Sequence, residues 1–299
     1  MDISMKQLRY FDALARVGHF GQAARDCSIS QPALSVQIRE LEETVGAPLV
    51  ERGGRQVSLT SLGEAFAARV HDILQDVDAL GDLARASRGA LAGRLRIGVI
   101  PTIAPYLLPW LIQRLGEDMP GLDLHPRETT TARLIADLRD GRLDTAIVAL
   151  PVSEPSLTET ALFDEEFVLV RPLGDAEKPV PRPEKLREMR LLLLEEGHCF
   201  RDQALTFCEM SSAPPRDLME GSSLATLVQM VGAGIGVTLI PDMAVPVETA
   251  SAGVSVARLS PPPTRTIGMV WRKTTPLTDH LQQIAGILKT AGQAELRLG

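Results

Sequence analysis

Cys199 and Cys208 lie in the segment Gly197-His198-Cys199-Phe200-Arg201-Asp202-Gln203-Ala204-Leu205-Thr206-Phe207-Cys208. Oxidative thiol chemistry needs a reachable thiolate, and a second thiol converts an oxidised sulfur into a disulfide. With eight residues between them, the pair fits neither a thioredoxin-type motif nor a zinc site, which place cysteines two residues apart. In a helix, nine steps of about 1.5 Å hold the Cα atoms roughly 13 Å apart on opposite faces. A disulfide needs Cα atoms within about 7 Å. Joining these sulfurs therefore requires the backbone to change shape, so oxidation here would be read as a conformational event.

His198, Arg201 and the sequence-distant Arg265 are candidates to supply positive charge or hydrogen-bond donors to Cys199, and Asp202 to orient water or one of those partners. Cys208, after Thr206-Phe207, reads by itself as a core residue, and Cys27, next to Ala23-Ala24, as a buried packing residue. His19, His71, His125 and His280 show no metal-ligand spacing, so neither a metal site nor a cofactor is expected. Gly232-Ala233-Gly234-Ile235-Gly236 follows a helical stretch and precedes a strand, the reverse of a dinucleotide fingerprint, and reads as a helix end and turn.

These residues need a scaffold, and the chain is long enough for several domains at 299 residues. An apolar fraction of 44% and a charged fraction of 23% are those of a globular protein. With no apolar run of 18 residues and no basic-then-apolar leader, the expectation is a cytoplasmic chain without a membrane span. The net charge of −7 argues mildly against nucleic acid. Residues 1–96, however, carry twelve Lys/Arg and twelve Asp/Glu, so the acidic excess lies downstream.

The first sixty residues read as short helices. Ser4 and Gln7 form a capping-box pattern ahead of Met5, Leu8, Phe11 and Leu14. A second helix fits Gln22 to Asp26, and Ser30 caps a third, with Pro32 in its first turn, Leu34, Ile38, Leu41 and Val45 on one face, and Gly46 at its end. Two short helices joined by a tight turn make a helix-turn-helix. Runs on either side of Gly53-Gly54 suggest a hairpin wing carrying Arg52 and Arg55. Ser61 with Glu64 opens a further helix, on which Phe66, Val70, Ile73, Val77 and Leu80 alternate steps of four and three. That a/d stripe suits a dimer seam, although one helix packed on its own domain gives the same pattern. Gly89-Ala90-Leu91-Ala92-Gly93 reads as a hinge, and beyond it strand and helix runs alternate, which predicts parallel α/β sheets.

Taken together, a winged helix-turn-helix, a long dimerising helix and a two-lobed α/β domain resemble the LysR-type transcriptional regulators. The residues carrying that likeness are Ala23-Ala24, Ser30-Gln31-Pro32-Ala33-Leu34-Ser35, Gln37-Ile38, Leu41-Glu42, Gly46, Leu49 and Arg52. Within the family, the cysteine segment, Ile100-Pro101-Thr102, Tyr106-Leu107-Leu108-Pro109 and Arg265-Thr266-Ile267-Gly268 are similar to the peroxide-sensing OxyR branch.

The resemblance implies an all-α winged helix-turn-helix over 1–60, a linker helix and hinge over 61–92, and a regulatory domain over 93–299. That domain would have two Rossmann-like lobes of the periplasmic-binding-protein kind, one spanning about 93–165 and 268–299 and the other about 166–267. It implies Cys199 as the peroxidatic thiol and Cys208 as the resolving one, with Thr102, Thr131, His198, Asp202 and Arg265 around hydrogen peroxide; Thr129, Thr130 and Thr131 are three candidates for the second hydroxyl. Gln31, Pro32, Ser35, Gln37 and Arg39 would face base edges of double-stranded promoter DNA, with Arg52 and Arg55 on phosphate or in the minor groove. The protein would pair with itself as a dimer and as a tetramer, and RNA polymerase would be a further partner. Two other readings stay open: a thiol peroxidase, which leaves residues 1–88 without a use, and a regulator binding an organic effector between the lobes with incidental cysteines.

Overall fold

A computed structural model describes residues 2–51, 57–86, 93–186, 188–208 and 219–294. Two compact units result, Met1–Gly81 and Asp82–Gly299.

The first unit is the helical head. Helix α1 (Met5–Val17) opens with the predicted capping box, in which Ser4 and Gln7 bond each other reciprocally. Leu8, Phe11 and Leu14 are buried, whereas Met5, expected on the same face, is exposed. Helix α2 (Phe20–Asp26) starts two residues earlier than expected, because the His19 imidazole accepts a hydrogen bond from the Gln22 amide and caps it. Helix α3 (Gln31–Val45) is capped by Ser30, carries Pro32 in its first turn and ends at Gly46, whose φ of 79° is a left-handed conformation that suits glycine. Strands β1 (Val50–Glu51) and β2 (Ser58–Leu59) pair antiparallel as the base of the predicted wing. The wing's tip, with Arg52 and Arg55, and the Gly89–Ala92 part of the hinge lie outside the described residues. A buried Glu42 joins α3 to the wing, accepting from the backbone amides of Leu49 at 2.8 Å and Val50 at 3.1 Å.

Helix α4 (Ser61–Ala86) divides the predicted seam. Val70 is buried in the head's own core, and Phe66 packs there edge-on to Phe11 at 5.5 Å between ring centroids. Only Ile73 and Leu80, both exposed, and the half-buried Val77 remain of that stripe for a partner. Cys27, expected to be buried, is half-buried at the C-terminal cap of α2.

The second unit runs β3 (Gly93–Val99), α5 (Ala104–Asp118), β4 (Leu122–Glu128), α6 (Thr131–Arg139), β5 (Thr145–Leu150) and β6 (Leu157–Pro172). It continues with α7 (Pro183–Leu186), β7 (Leu191–Leu194), α8 (Cys199–Phe207), β8 (Met219–Gly221), α9 (Leu224–Gly232) and β9 (Val237–Pro241). Helix α10 (Val245–Glu248), β10 (Val254–Arg258), β11 (Thr264–Arg272) and α11 (Thr278–Ala294) complete it. Among the described residues, one nine-stranded sheet runs β4-β3-β5-β11-β6-β9-β7-β8, with β10 also on β6.

The expectation of parallel sheets needs correction. Strands β3, β4 and β5 are mutually parallel, as are β7, β8 and β9, but β6 and β11 join the two sets antiparallel. Only the apolar end of β6, Phe167 to Arg171, is legible as strand; its first half, with Thr158, Glu159, Thr160, Asp164 and Glu165, lacks that signal. Strands β8 and β10 went unpredicted for the same reason of shortness or polarity. Two hydrophobic cores result. One gathers around β3, β5, β11 and α11, the other around β7, β9, α8 and α9.

Candidate redox site and nucleic-acid interface

Three helices begin at one place. Each follows a strand of a parallel set: β3 leads through Ile100-Pro101-Thr102 into α5, β4 through Thr129-Thr130 into α6, and β7 through Glu195 to His198 into α8. Gly197 makes the last turn with φ 95°, a left-handed conformation in which a side chain is strained. Ligands of open α/β sheets gather at such carboxyl ends of strands. Ile100, Pro101, Thr102, Thr130, Thr131, His198, Cys199 and Phe200 line a narrow, shallow cleft there that opens to solvent. The start of α5 is already closed, since the Ala104 and Tyr106 amides donate to the Ile100 and Ile103 carbonyls and Pro105 has no N–H. The first turns of α6 and α8, with the partial positive charge of the macrodipole, are what favour negative charge in the cleft.

Within the cleft, Cys199 is the first residue of α8 and half-buried against the first core. Of the three candidate threonines, Thr131 carries the informative atom: its Oγ1 is buried without a hydrogen-bond partner. A buried hydroxyl left unpaired costs about 1–3 kcal/mol unless a ligand or water completes it. Thr102 is 3% exposed and its Oγ1 accepts from Arg265 Nη1 at 2.9 Å. His198 caps α8 without a side-chain bond to its first turn, and Asp202 is exposed in that turn.

Arg201 does not supply charge to Cys199. It turns into the second core, donating to the Leu194 carbonyl at 3.0 Å and pairing with Glu220. Arg265 lies under the cleft wall rather than open to it, over the rings of Phe167 and Phe200 at 5.8 and 5.4 Å, with both nitrogens Nε and Nη2 on Glu165 Oε2 at 2.7 Å. Glu165 escaped the sequence reading, since a glutamate in a polar half-strand carries no sign of burial. Burial pushes its carboxyl up, while Arg265 and the Met243 amide work the other way.

Cys208 caps the far end of α8, fully buried in the second core, where desolvation pushes its thiol up to about 11. The two thiols are free, at opposite ends of one helix and packed against different cores.

In the head, Gln31, Pro32 and Arg39 of α3 are exposed, and Ser35 and Gln37 are half-buried. Gln37 Nε2 donates to Glu40 at 2.7 Å. Val36 is 48% exposed on the same helix, a placement that suits contact with a thymine methyl.

Residues 5–64 match the bacterial regulatory helix-turn-helix family of LysR type, and residues 88–293 match the LysR substrate-binding domain. The chain belongs to the LysR family of transcriptional regulators. It is a regulator, not an enzyme, and its relatives are OxyR proteins. It is 43% identical to a probable hydrogen peroxide-inducible genes activator of Streptomyces viridosporus over 96% of this chain and 94% of the relative. With the DNA-binding transcriptional dual regulator OxyR of Escherichia coli K12 it shares 39% identity over 96% and 95%. Among solved structures, a full-length OxyR variant from Pseudomonas aeruginosa is 37% identical, with a TM-score of 0.72 over 96% of this chain and 98% of that one. A hydrogen-peroxide-bound cysteine-to-serine variant of OxyR from Corynebacterium glutamicum is 35% identical, with a TM-score of 0.68 over 100% and 95%.

Among the described residues of the regulator, no helix is long and apolar enough to cross a membrane, and no cluster of ligands suits a metal ion.

Proposed function

We propose that this regulator senses hydrogen peroxide through Cys199 and reports the event to promoter DNA by forming a reversible Cys199–Cys208 disulfide. The observation that carries the reading is the unpaired, buried Thr131 hydroxyl in the cleft that Cys199 lines. A peroxide molecule would satisfy it. The thiolate of Cys199 attacks one peroxide oxygen, the O–O bond breaks, and sulfur gives up two electrons to become a sulfenic acid. The departing hydroxide takes up a proton and leaves as water. Thr102, Thr131 and His198 would hold the two oxygens, with Arg265 behind Thr102 and Asp202 in the first turn of α8 as a further partner.

The Cys208 thiol then displaces the sulfenic hydroxyl, releasing a second water. Nine helical steps span about 13 Å, so α8 must unwind and Cys208 must leave the second core before the sulfurs meet. That loss of packing is the signal. It would alter how paired chains present their α3 helices to successive half-sites and so switch on genes against oxidative stress. Gln31, Pro32, Ser35, Gln37 and Arg39 would read bases, and Arg52 and Arg55 would contact the backbone. Self-association would run through Ile73, Val77 and Leu80 into a dimer and on to a tetramer. RNA polymerase would be the recipient of the signal, and the cytoplasm its setting.

Mass mapping after one equivalent of peroxide is expected to link Cys199 to Cys208. Reduced and oxidised protein should then give different footprints on the same promoter DNA. Unlinked thiols with unchanged footprints would overturn the reading.

A further inference from the structure

Glu165 and Arg265 face each other as register partners of β6 and β11. Both are almost fully buried, with side-chain exposures of 4% and 0%. The carboxylate takes Nε and Nη2 of the guanidinium on one oxygen, while its other oxygen accepts from the Met243 amide at 3.4 Å. With one edge held in this way, the guanidinium fork has a single orientation. Its remaining donors clamp both oxygens of Thr102: Nη1 reaches Oγ1 at 2.9 Å and Nη2 reaches the carbonyl at 3.1 Å.

That clamp has a consequence for proton direction. An arginine only donates, so Thr102 Oγ1 is an acceptor towards Arg265. Its one hydroxyl hydrogen is thereby free to be given elsewhere, and Thr102 lines the cleft, where an acceptor would receive it. As the peroxide bond breaks, negative charge grows on the departing oxygen, and a donor fixed beforehand stabilises that charge without reorganising.

We infer that Glu165 is a positioning residue for the peroxide reaction, acting through Arg265 to hold Thr102 as a hydrogen-bond donor towards the leaving oxygen. The inference rests on the proposed peroxide reading. In the step it assists, the Cys199 thiolate and hydrogen peroxide give a sulfenic acid and hydroxide, and the hydroxide then becomes water. Glu165 touches none of the reacting atoms.

The test uses the reduced full-length protein and two reactions of Cys199. Oxidation by hydrogen peroxide needs a leaving oxygen stabilised by Thr102; alkylation by iodoacetamide does not. In Glu165→Gln the peroxide rate constant is expected to fall about tenfold or more, as for outer-shell partners of active groups, and the alkylation rate to stay within about twofold. Glu165→Gln strands a buried guanidinium, so Arg265→Gln and the double variant complete a cycle. If the pair acts as one unit, the double variant is no slower with peroxide than the worse single variant. A Glu165→Gln protein with the parent's peroxide rate would overturn the inference. So would equal losses in both reactions, which mean a general effect on the thiol or the fold, and so would losses that multiply in the double variant. If the parent's Cys199 reacts with peroxide no faster than free cysteine, the peroxide reading itself falls, and this inference with it.

Discussion

Cys199 and Cys208 are chemically unlike although they share one helix. Cys199 sits where three helix N-termini meet at an open cleft. Cys208 is fully buried, and desolvation alone moves its thiol from 9.0 to about 11. The folded form therefore keeps the proton on Cys208 where an unfolded chain would release it. By linkage, this contribution to stability is complete below about pH 9 and is lost as pH rises towards 11. In the reduced, folded protein, iodoacetamide at pH 8 is expected to label Cys199 first. Labelling of Cys208 should be slow and should rise about tenfold per pH unit until near its own pKa. Equal labelling rates at pH 8, read by peptide mass spectrometry, would mean that Cys208 is already outside the core.

Among the elements, α8 is a tie between the two cores. Its N-terminal residue packs on the first core, its cap is sealed in the second, and Phe200 lies tilted against Phe167 with centroids 4.7 Å apart. A second tie between the cores is Tyr106 of α5, which packs against both and donates its hydroxyl to Glu248 at 2.7 Å. In the head, the comparable tie is Glu42, whose carboxylate satisfies two buried wing amides. Glu42→Ala would strand both amides. It is expected to cost about 2–4 kcal/mol, from the usual penalty of an unmet buried donor, seen as a lower midpoint of the head's unfolding in urea.

For the molecule as a whole, the proposed pairing would depend on the outer part of α4, because Phe66 and Val70 are already used inside the head. Leu80 is 66% exposed and Ile73 40% exposed. Leu80→Asp is expected to weaken the dimer by about tenfold or more, since a buried charge replaces an apolar contact, while the head's own stability is unchanged. Sedimentation across a concentration series reads the first effect and denaturation the second. A dimer of undiminished strength would place the seam elsewhere.

The local signals were enough for the caps and the buried face of the head's first and third helices and for the separation of the two cysteines along α8. Ser4, Ser30, Gly46 and the spacing of Leu34, Ile38 and Leu41 are short-range instructions, and each acts within its own helix. The same is true of α8, whose length alone separates Cys199 from Cys208. Partners far apart in sequence were beyond such reading. Nothing near Glu165 announces that it will face Arg265 one hundred positions away, nor did Arg201 reveal that it turns from Cys199 towards Leu194 and Glu220. Which of Thr129, Thr130 and Thr131 carries an unpaired hydroxyl was likewise decided by the approach of β4, α6 and α8. Capping and periodicity act over a few residues, so the chain alone fixes them; burial, ion pairing and the direction of a hydroxyl depend on neighbours that only the closed sheet brings together.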